Sequence, residues 1–214
     1  MRQGKFISIE GVEGAGKSTI LQFVKKYLQD AEVDLALTRE PGGTEIAEKI
    51  RLLLLHPDSE ERILPETELL LMFAGRAQHM QQCIVPWLKA GKWVVSDRFI
   101  DASYAYQGGG REIDSRFIEE LDRRVVGDVY PDITILLDLP PELGFDRAIQ
   151  RGMGKDRIEK EKLEFFTRVR EMYLLRARQY PDRVVIVDAS RPLDTVKNDV
   201  ASILDACLKK SKTA

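Results

Sequence analysis

Short apolar or β-branched runs alternate along the chain with longer stretches of helical periodicity. The short runs predict strands over Phe6–Glu10, Leu35–Thr38, Trp93–Asp97, Ile133–Asp138 and Val184–Asp188. Between them the patterning predicts helices near Lys17–Asp30, Thr44–Leu55, Glu66–Lys89, Asp114–Val126, Pro141–Gln150, Glu159–Gln179 and Leu193–Lys209. Strands alternating with helices require crossover connections, so the expected fold is α/β with a five-stranded parallel sheet flanked by helices in three layers. In such sheets ligands bind beyond the carboxyl ends of the strands.

Punctuation agrees with these boundaries. Asp114 can cap the helix that follows it, and Pro141 suits a first helical turn. Ala90-Gly91-Lys92 ends one helix and opens a strand. Two segments, Tyr106–Arg111 and Arg151–Arg157, are rich in glycine and charge and poor in apolar anchors, and are expected to be mobile. The tail from Lys209 to Ala214 is expected to fray.

The 214 residues suit a single domain spanning the whole chain, 1–214, with at most a small mobile insert. Lys and Arg total 33 against 35 Asp and Glu, so no global basic field exists to hold nucleic acid or an anionic membrane. Any anion must be bound by local clusters. The two cysteines, Cys83 and Cys207, build neither a disulfide framework nor a zinc site, and indicate a reducing compartment. The longest apolar block, Leu69 to Ala74, is too short to span a membrane, and the N-terminus has no signal-like apolar region. A soluble cytoplasmic protein is the resulting expectation.

The sharpest chemical signal is Gly11-Val12-Glu13-Gly14-Ala15-Gly16-Lys17-Ser18, which matches G-x-x-x-x-G-K-[ST] between a predicted strand and a predicted helix. Glycines let the backbone turn tightly around a polyphosphate, and the amides and the helix N-terminus then point at it. Residues 11–18, with Thr19 following, form the expected ATP cradle. Lys17 is placed to reach the β- and γ-phosphates, and Ser18 to ligate Mg²⁺. Glu13 is unusual inside an anion nest and must point away from the phosphates.

A second signal is the strand end Trp93-Val94-Val95-Ser96-Asp97-Arg98. Asp97 sits where it can support the metal shell, and Arg98 suits bidentate phosphate contact, although a simple strand-end salt bridge gives the same pattern. A GTPase would need Asn-Lys-x-Asp after a late strand; the late strands instead end in Leu137-Asp138-Leu139-Pro140 and Val187-Asp188-Ala189-Ser190. A small kinase with an anionic acceptor fits the length and the arginine placement better, with a nucleotide sensor as the non-catalytic alternative.

Several further segments carry a family resemblance. Thr38-Arg39-Glu40-Pro41-Gly42-Gly43-Thr44, Leu71-Met72-Phe73-Ala74-Gly75-Arg76, Asp97-Arg98-Phe99, Ser103-Tyr104-Ala105-Tyr106-Gln107-Gly108 and the run from Arg151 to Glu159 resemble, in order, segments of bacterial thymidylate kinases. The resemblance covers about residues 6–190. It implies that ATP phosphorylates dTMP with Mg²⁺ present, and that members pair as homodimers. It implies that Phe73 stacks on thymine and Arg76 donates to a thymine carbonyl. Arg98, with Arg39 or Arg51, would hold the dTMP phosphate. Ser103 and Gln107 would address the pyrimidine edge, Tyr106 would crowd the sugar 2′ position, and Glu13 or Glu40 would bind the 3′-hydroxyl. The run at about 151–159 resembles the family's lid, whose Arg151 and Arg157 would add charge to the transferring phosphoryl beside Lys17 and Arg98. Phe99 departs from the usual Tyr or His, so it is assigned no polar role. Patterning alone would put Phe73 in the core, and His56 and His79 on the surface or in structural positions.

Overall fold

A computed structural model of the chain describes residues 4–56, 61–150, 157–158 and 161–212, without side chains for 148–150 and 210–212. Its strands are β1 (Phe6–Glu10), β2 (Leu35–Arg39), β3 (Trp93–Asp97), β4 (Ile133–Asp138) and β5 (Val184–Asp188). They form one all-parallel sheet in the order β2-β3-β1-β4-β5. The order reverses at β1, which places the loop after β1 at the topological switch point, where open α/β sheets bind ligands.

Helix α1 (Lys17–Asp30) follows the phosphate loop directly. Helix α2 (Glu45–Leu55) starts at Thr44, whose side chain accepts from the Ala47 amide. Helix α3 (Pro65–His79) continues through a wide turn, Met80–Ile84, into α4 (Val85–Lys89), so the long helix predicted from the pattern is one continuous element. Helices α5 (Ile100–Ser103) and α6 (Ser115–Val125) follow β3, and the Asp114 side chain caps α6 by accepting from the Arg116 amide. The last three are α7 (Pro141–Gln150), α8 (Leu163–Gln179) and α9 (Leu193–Lys212). Among the described residues no helix is long and apolar enough to cross a membrane.

Strand alternation sorts the core. Ile7, Ile9, Val95, Ile135 and Leu137 pack with Ile20, Val24 and Leu28 of α1 and Val196, Val200 and Leu204 of α9. Phe6 and Val94 join Leu69 and Phe73 of α3, Phe99, Ile100 and Ile118 in a second cluster. The strands also bury Ser8, Glu10, Ser96 and Thr134, so their polar atoms need partners. Ser8 and Thr134 bond each other at 2.7 Å, and Glu10 takes the Phe99 amide at 2.7 Å and the Tyr173 hydroxyl at 2.7 Å.

Residues 106–111, read as mobile from their glycines, fall in and just after a helical turn. Tyr104–Gly110 extends α5 as a widened helical turn in which the Arg111 amide donates to Tyr106 O, five residues back, at 2.8 Å. The glycines serve close packing. A Cβ on Gly109 would lie 2.8 Å from the Arg168 carbonyl oxygen, and one on Gly110 would lie 2.4 Å from the Phe165 ring. Helix α8 can therefore press against this turn. Residues 151–156 and 159–160, most of the expected lid, lie outside the described residues, as does Arg151 itself.

Candidate active site

The phosphate loop takes its shape from left-handed backbone at Gly14 (φ 77°) and Gly16 (φ 88°). A Cβ at Gly14 would meet the Gly144 carbonyl oxygen at 2.3 Å, so α7 packs on the loop only because both positions lack side chains. Val12 and Ala15 turn inward and anchor the loop to the core. Lys17 Nζ lies over the loop and donates to Gly11 O and Val12 O, both at 3.0 Å. Burial, then the charge of Arg98, pushes the Lys17 ammonium down to about 8, against the pull of Glu13, Asp97 and Glu10. A cation in this position is short of negative charge, which a polyphosphate supplies.

Arg98 lies beyond the end of β3 in a left-handed conformation (φ 67°) that is rare for a residue with a side chain. Three bonds hold it there: its own amide to Ile9 O at 3.0 Å, Ser96 Oγ to its carbonyl at 2.6 Å, and the next amide, of Phe99, to Glu10. The turn sends the guanidinium back over the phosphate loop. It donates to Gly11 O at 3.0 Å, to Glu13 Oε1 at 2.7 Å and to Tyr173 Oη at 3.2 Å, and it lies 4.7 Å from the centre of the Tyr106 ring. Glu13 accepts the Tyr106 hydroxyl at 2.6 Å on its other oxygen. The odd carboxylate of the loop thus points toward Arg98 and Tyr106.

The same cavity continues past Arg98. Glu13, Gly14, Gly16, Lys17 and Ser18 line one end; Arg51, Met72, Arg76, Phe99, Ser103, Tyr106 and Gln107 line the other, together with Glu40, Pro41 and Ile158. Arg76 is buried and donates to Glu40 Oε2 at 2.7 Å, Ser103 Oγ at 3.0 Å and Phe99 O at 3.1 Å. Burial works to protonate Glu40, but the charge of Arg76 and the bond from His79 hold its carboxyl below the usual range. Gln107 gives its amide to Glu68 Oε1 at 2.8 Å.

Most of the described residues singled out from sequence line this cavity; Gly11, Val12, Ala15 and Asp97 do not, and neither do four others. Phe73 is buried in the apolar cluster of the sheet and is absent from the cavity wall; its neighbour Met72 faces the cavity. Arg39 is half exposed and pairs with Glu48 at 2.9 Å, whereas Arg51 lines the cavity and donates to Pro41 O. Thr19 is exposed and outside the lining. Arg157 pairs with Glu68 and donates from Nε to Leu54 O at 2.8 Å, so its head is directed at α2 and α3. His79, read as surface or structural, is fully buried.

Two sites in one cavity, a phosphate loop at a sheet switch point and an arginine-lined acceptor pocket beside it, define a P-loop kinase that acts on a small phosphorylated substrate. The family model for thymidylate kinase matches residues 9–200. The chain belongs to the thymidylate kinase family. It is 50% identical over 204 residues to the thymidylate kinase of Ruthia magnifica, covering 95% of this chain and 98% of that one. It is 48% identical over 205 residues to that of Nitrosomonas europaea, covering 96% and 94%. The crystal structure of thymidylate kinase from Ehrlichia chaffeensis superposes with a TM-score of 0.76 at 33% identity, over 94% of this chain and 98% of that one.

Proposed function

We propose that the chain transfers the γ-phosphoryl group of ATP to dTMP, giving dTDP and ADP. The observation that carries this reading is the continuity of one cavity from Lys17 and Ser18 to Arg98 and Arg76. The donor polyphosphate lies in the loop of residues 11–18, and the acceptor phosphate meets Arg98 and Arg51. An acceptor phosphate oxygen attacks the γ-phosphorus in line, and the bond to the β,γ-bridging oxygen breaks. The nucleophile is already anionic, so no general base is required. Lys17 and Arg98 hold the two phosphates in line and neutralise charge as it shifts.

Mg²⁺ fits the same place. Asp97 Oδ1 is buried without a hydrogen-bond partner, and Ser18 lines the cavity beside the phosphate loop. Ser18 and Asp97 would hold the ion, which supplies charge neutralisation at the phosphate oxygens. Arg151 supplies a further positive charge from the lid. The whole chain acts as one domain in a cytoplasmic homodimer. Apolar Ile46, Leu52 and Leu53 of α2, with Leu64 and Leu70 at α3, are exposed on the single chain and offer a face for a second copy. Light scattering should return twice the chain mass of 24.4 kDa; a mass of one chain removes the dimer.

The functional reading is tested with a panel of nucleoside monophosphates and ATP·Mg²⁺, following ADP release. Turnover should be highest with dTMP. A preference for another base makes the chain a sister kinase, and ATP binding without turnover makes it a sensor.

The base pocket gives a prediction at residue resolution. Met72→Ala should raise the KM for dTMP about tenfold and leave that for ATP unchanged, since it removes a polarizable side chain from the cavity wall. Phe73→Ala should instead cost about 3–5 kcal/mol of stability, as for other buried aromatics, and shift the melting temperature. Steady-state kinetics and thermal melts on both variants decide it; a selective dTMP defect in Phe73→Ala alone returns the stacking role to that residue.

A further inference from the structure

His79 belongs to neither the phosphate loop nor the cavity wall, yet its ring is wholly buried and both nitrogens are engaged. It sits on α3 one turn after Arg76, so the two side chains share a face. Nδ1 lies 2.9 Å from Glu40 Oε1, while the other oxygen of that carboxylate accepts from Arg76 Nε at 2.7 Å. Nε2 lies 2.6 Å from the hydroxyl of Thr38, at the end of β2. A carboxylate only accepts, so Nδ1 carries the proton and donates to Glu40. In that tautomer Nε2 accepts from Thr38. The loop after β2 closes over the ring: a Cβ at Gly43 would stand 2.4 Å from His79 Nε2 and 2.7 Å from Thr38 Oγ1.

The chain of contacts runs Thr38–His79–Glu40–Arg76 and ends in the acceptor pocket. Arg76 has five N–H donors, and Nε, Nη1 and Nη2 each give one to Glu40, Ser103 and Phe99 O. Arg76 also lines the cavity, so the aim of its guanidinium sets what it can offer a ligand there. Its direction depends on Glu40, and Glu40 would swing about its own side-chain torsions if only Arg76 held it. We infer that His79 is a positioning residue for recognition of the acceptor nucleotide: it locks Glu40, and through Glu40 the guanidinium of Arg76. This rests on the reading of the cavity as the dTMP site. Because the chain of contacts approaches the base end of the pocket and not the phosphate loop, the effect falls on dTMP and spares ATP.

Two substitutions separate the ring nitrogens. In His79→Asn the side-chain amide takes the place of Nδ1 and can still donate to Glu40. In His79→Gln it takes the place of Nε2, keeps Thr38 and loses Glu40. Calorimetric Kd values for dTMP and for ATP are measured on wild type and both variants, with circular dichroism and melting temperature on the same samples. The expected result is a dTMP Kd about tenfold weaker in His79→Gln, within about threefold of wild type in His79→Asn, and an ATP Kd unchanged in both. Equal dTMP affinity in the three proteins, or an equal loss for dTMP and ATP in both variants, overturns the role of His79. Should His79→Gln fail to fold, His79→Leu carries the test by removing the bond to Glu40 at a similar side-chain volume. A dTMP Kd weakened alone supports the inference, and an unchanged one sinks it. A wild-type chain that binds ATP but not dTMP overturns the functional reading itself, and this inference with it.

Discussion

Lys17→Ala is expected to lower kcat by at least about 10²–10³-fold while leaving the circular dichroism spectrum and melting temperature close to wild type. The two halves of that result have separate causes. The fold does not need the ammonium group: its partners are the carbonyl oxygens of Gly11 and Val12, and these belong to a loop held by Val12, Ala15 and the glycine contacts with α7. The chemistry does need it. Burial and Arg98 disfavour the charge on Lys17, so the site is short of an anion until ATP arrives. The charge is then spent where negative charge gathers on the transferring oxygens, an interaction that strengthens toward the transition state. ADP release and thermal melts on one preparation decide the matter, and near-normal turnover would reject the phosphate-loop site.

The second large effect is assigned to Arg151, whose position lies outside the described residues and whose role is read from the lid-like sequence around it. The cations described around the cavity have their own partners. Arg76 is paired with Glu40, Arg98 with Glu13, and Arg157 with Glu68. The phosphate loop holds no basic residue before Lys17. The lid-like run adds Arg151 to these cations, and Arg151→Met should cut kcat by about 10³-fold with dTMP affinity nearly intact. Arg157→Met should behave differently. It removes one donor from Glu68, a buried carboxylate that keeps Arg111 and Gln107, and should cost about 1.5–3 kcal/mol of stability with a smaller fall in kcat. That corresponds to a melting temperature lower by several degrees for a chain of this size. Wild-type kcat in Arg151→Met refutes the assignment, and a larger kcat loss in Arg157→Met than in Arg151→Met exchanges the two roles.

Patterning alone determined the five strands, nearly every helix and the phosphate loop, because each is set by neighbours in sequence. A strand needs a short apolar run, α2 and α6 need their capping residues Thr44 and Asp114, and a phosphate nest needs glycines at fixed spacing before Lys17. Tertiary structure decided which way side chains turn. Helical periodicity announces a helix at residues 66–89 but leaves its rotation open, and Met72 and Phe73 are one residue and about 100° apart on it. Only the packing of α3 sends Phe73 into the core and Met72 to the cavity. Gly109 and Gly110 read as freedom in sequence but give clearance for α8, since a glycine that permits motion and one that permits close approach look alike until the neighbour is present. The polar connections were equally hidden. Glu13 meets Arg98 across 85 positions, Glu10 meets Tyr173 across 163, and His79 meets Glu40 across 39. No local rule reaches that far: burial denies these groups water, and each takes the partner that the fold brings within hydrogen-bond distance.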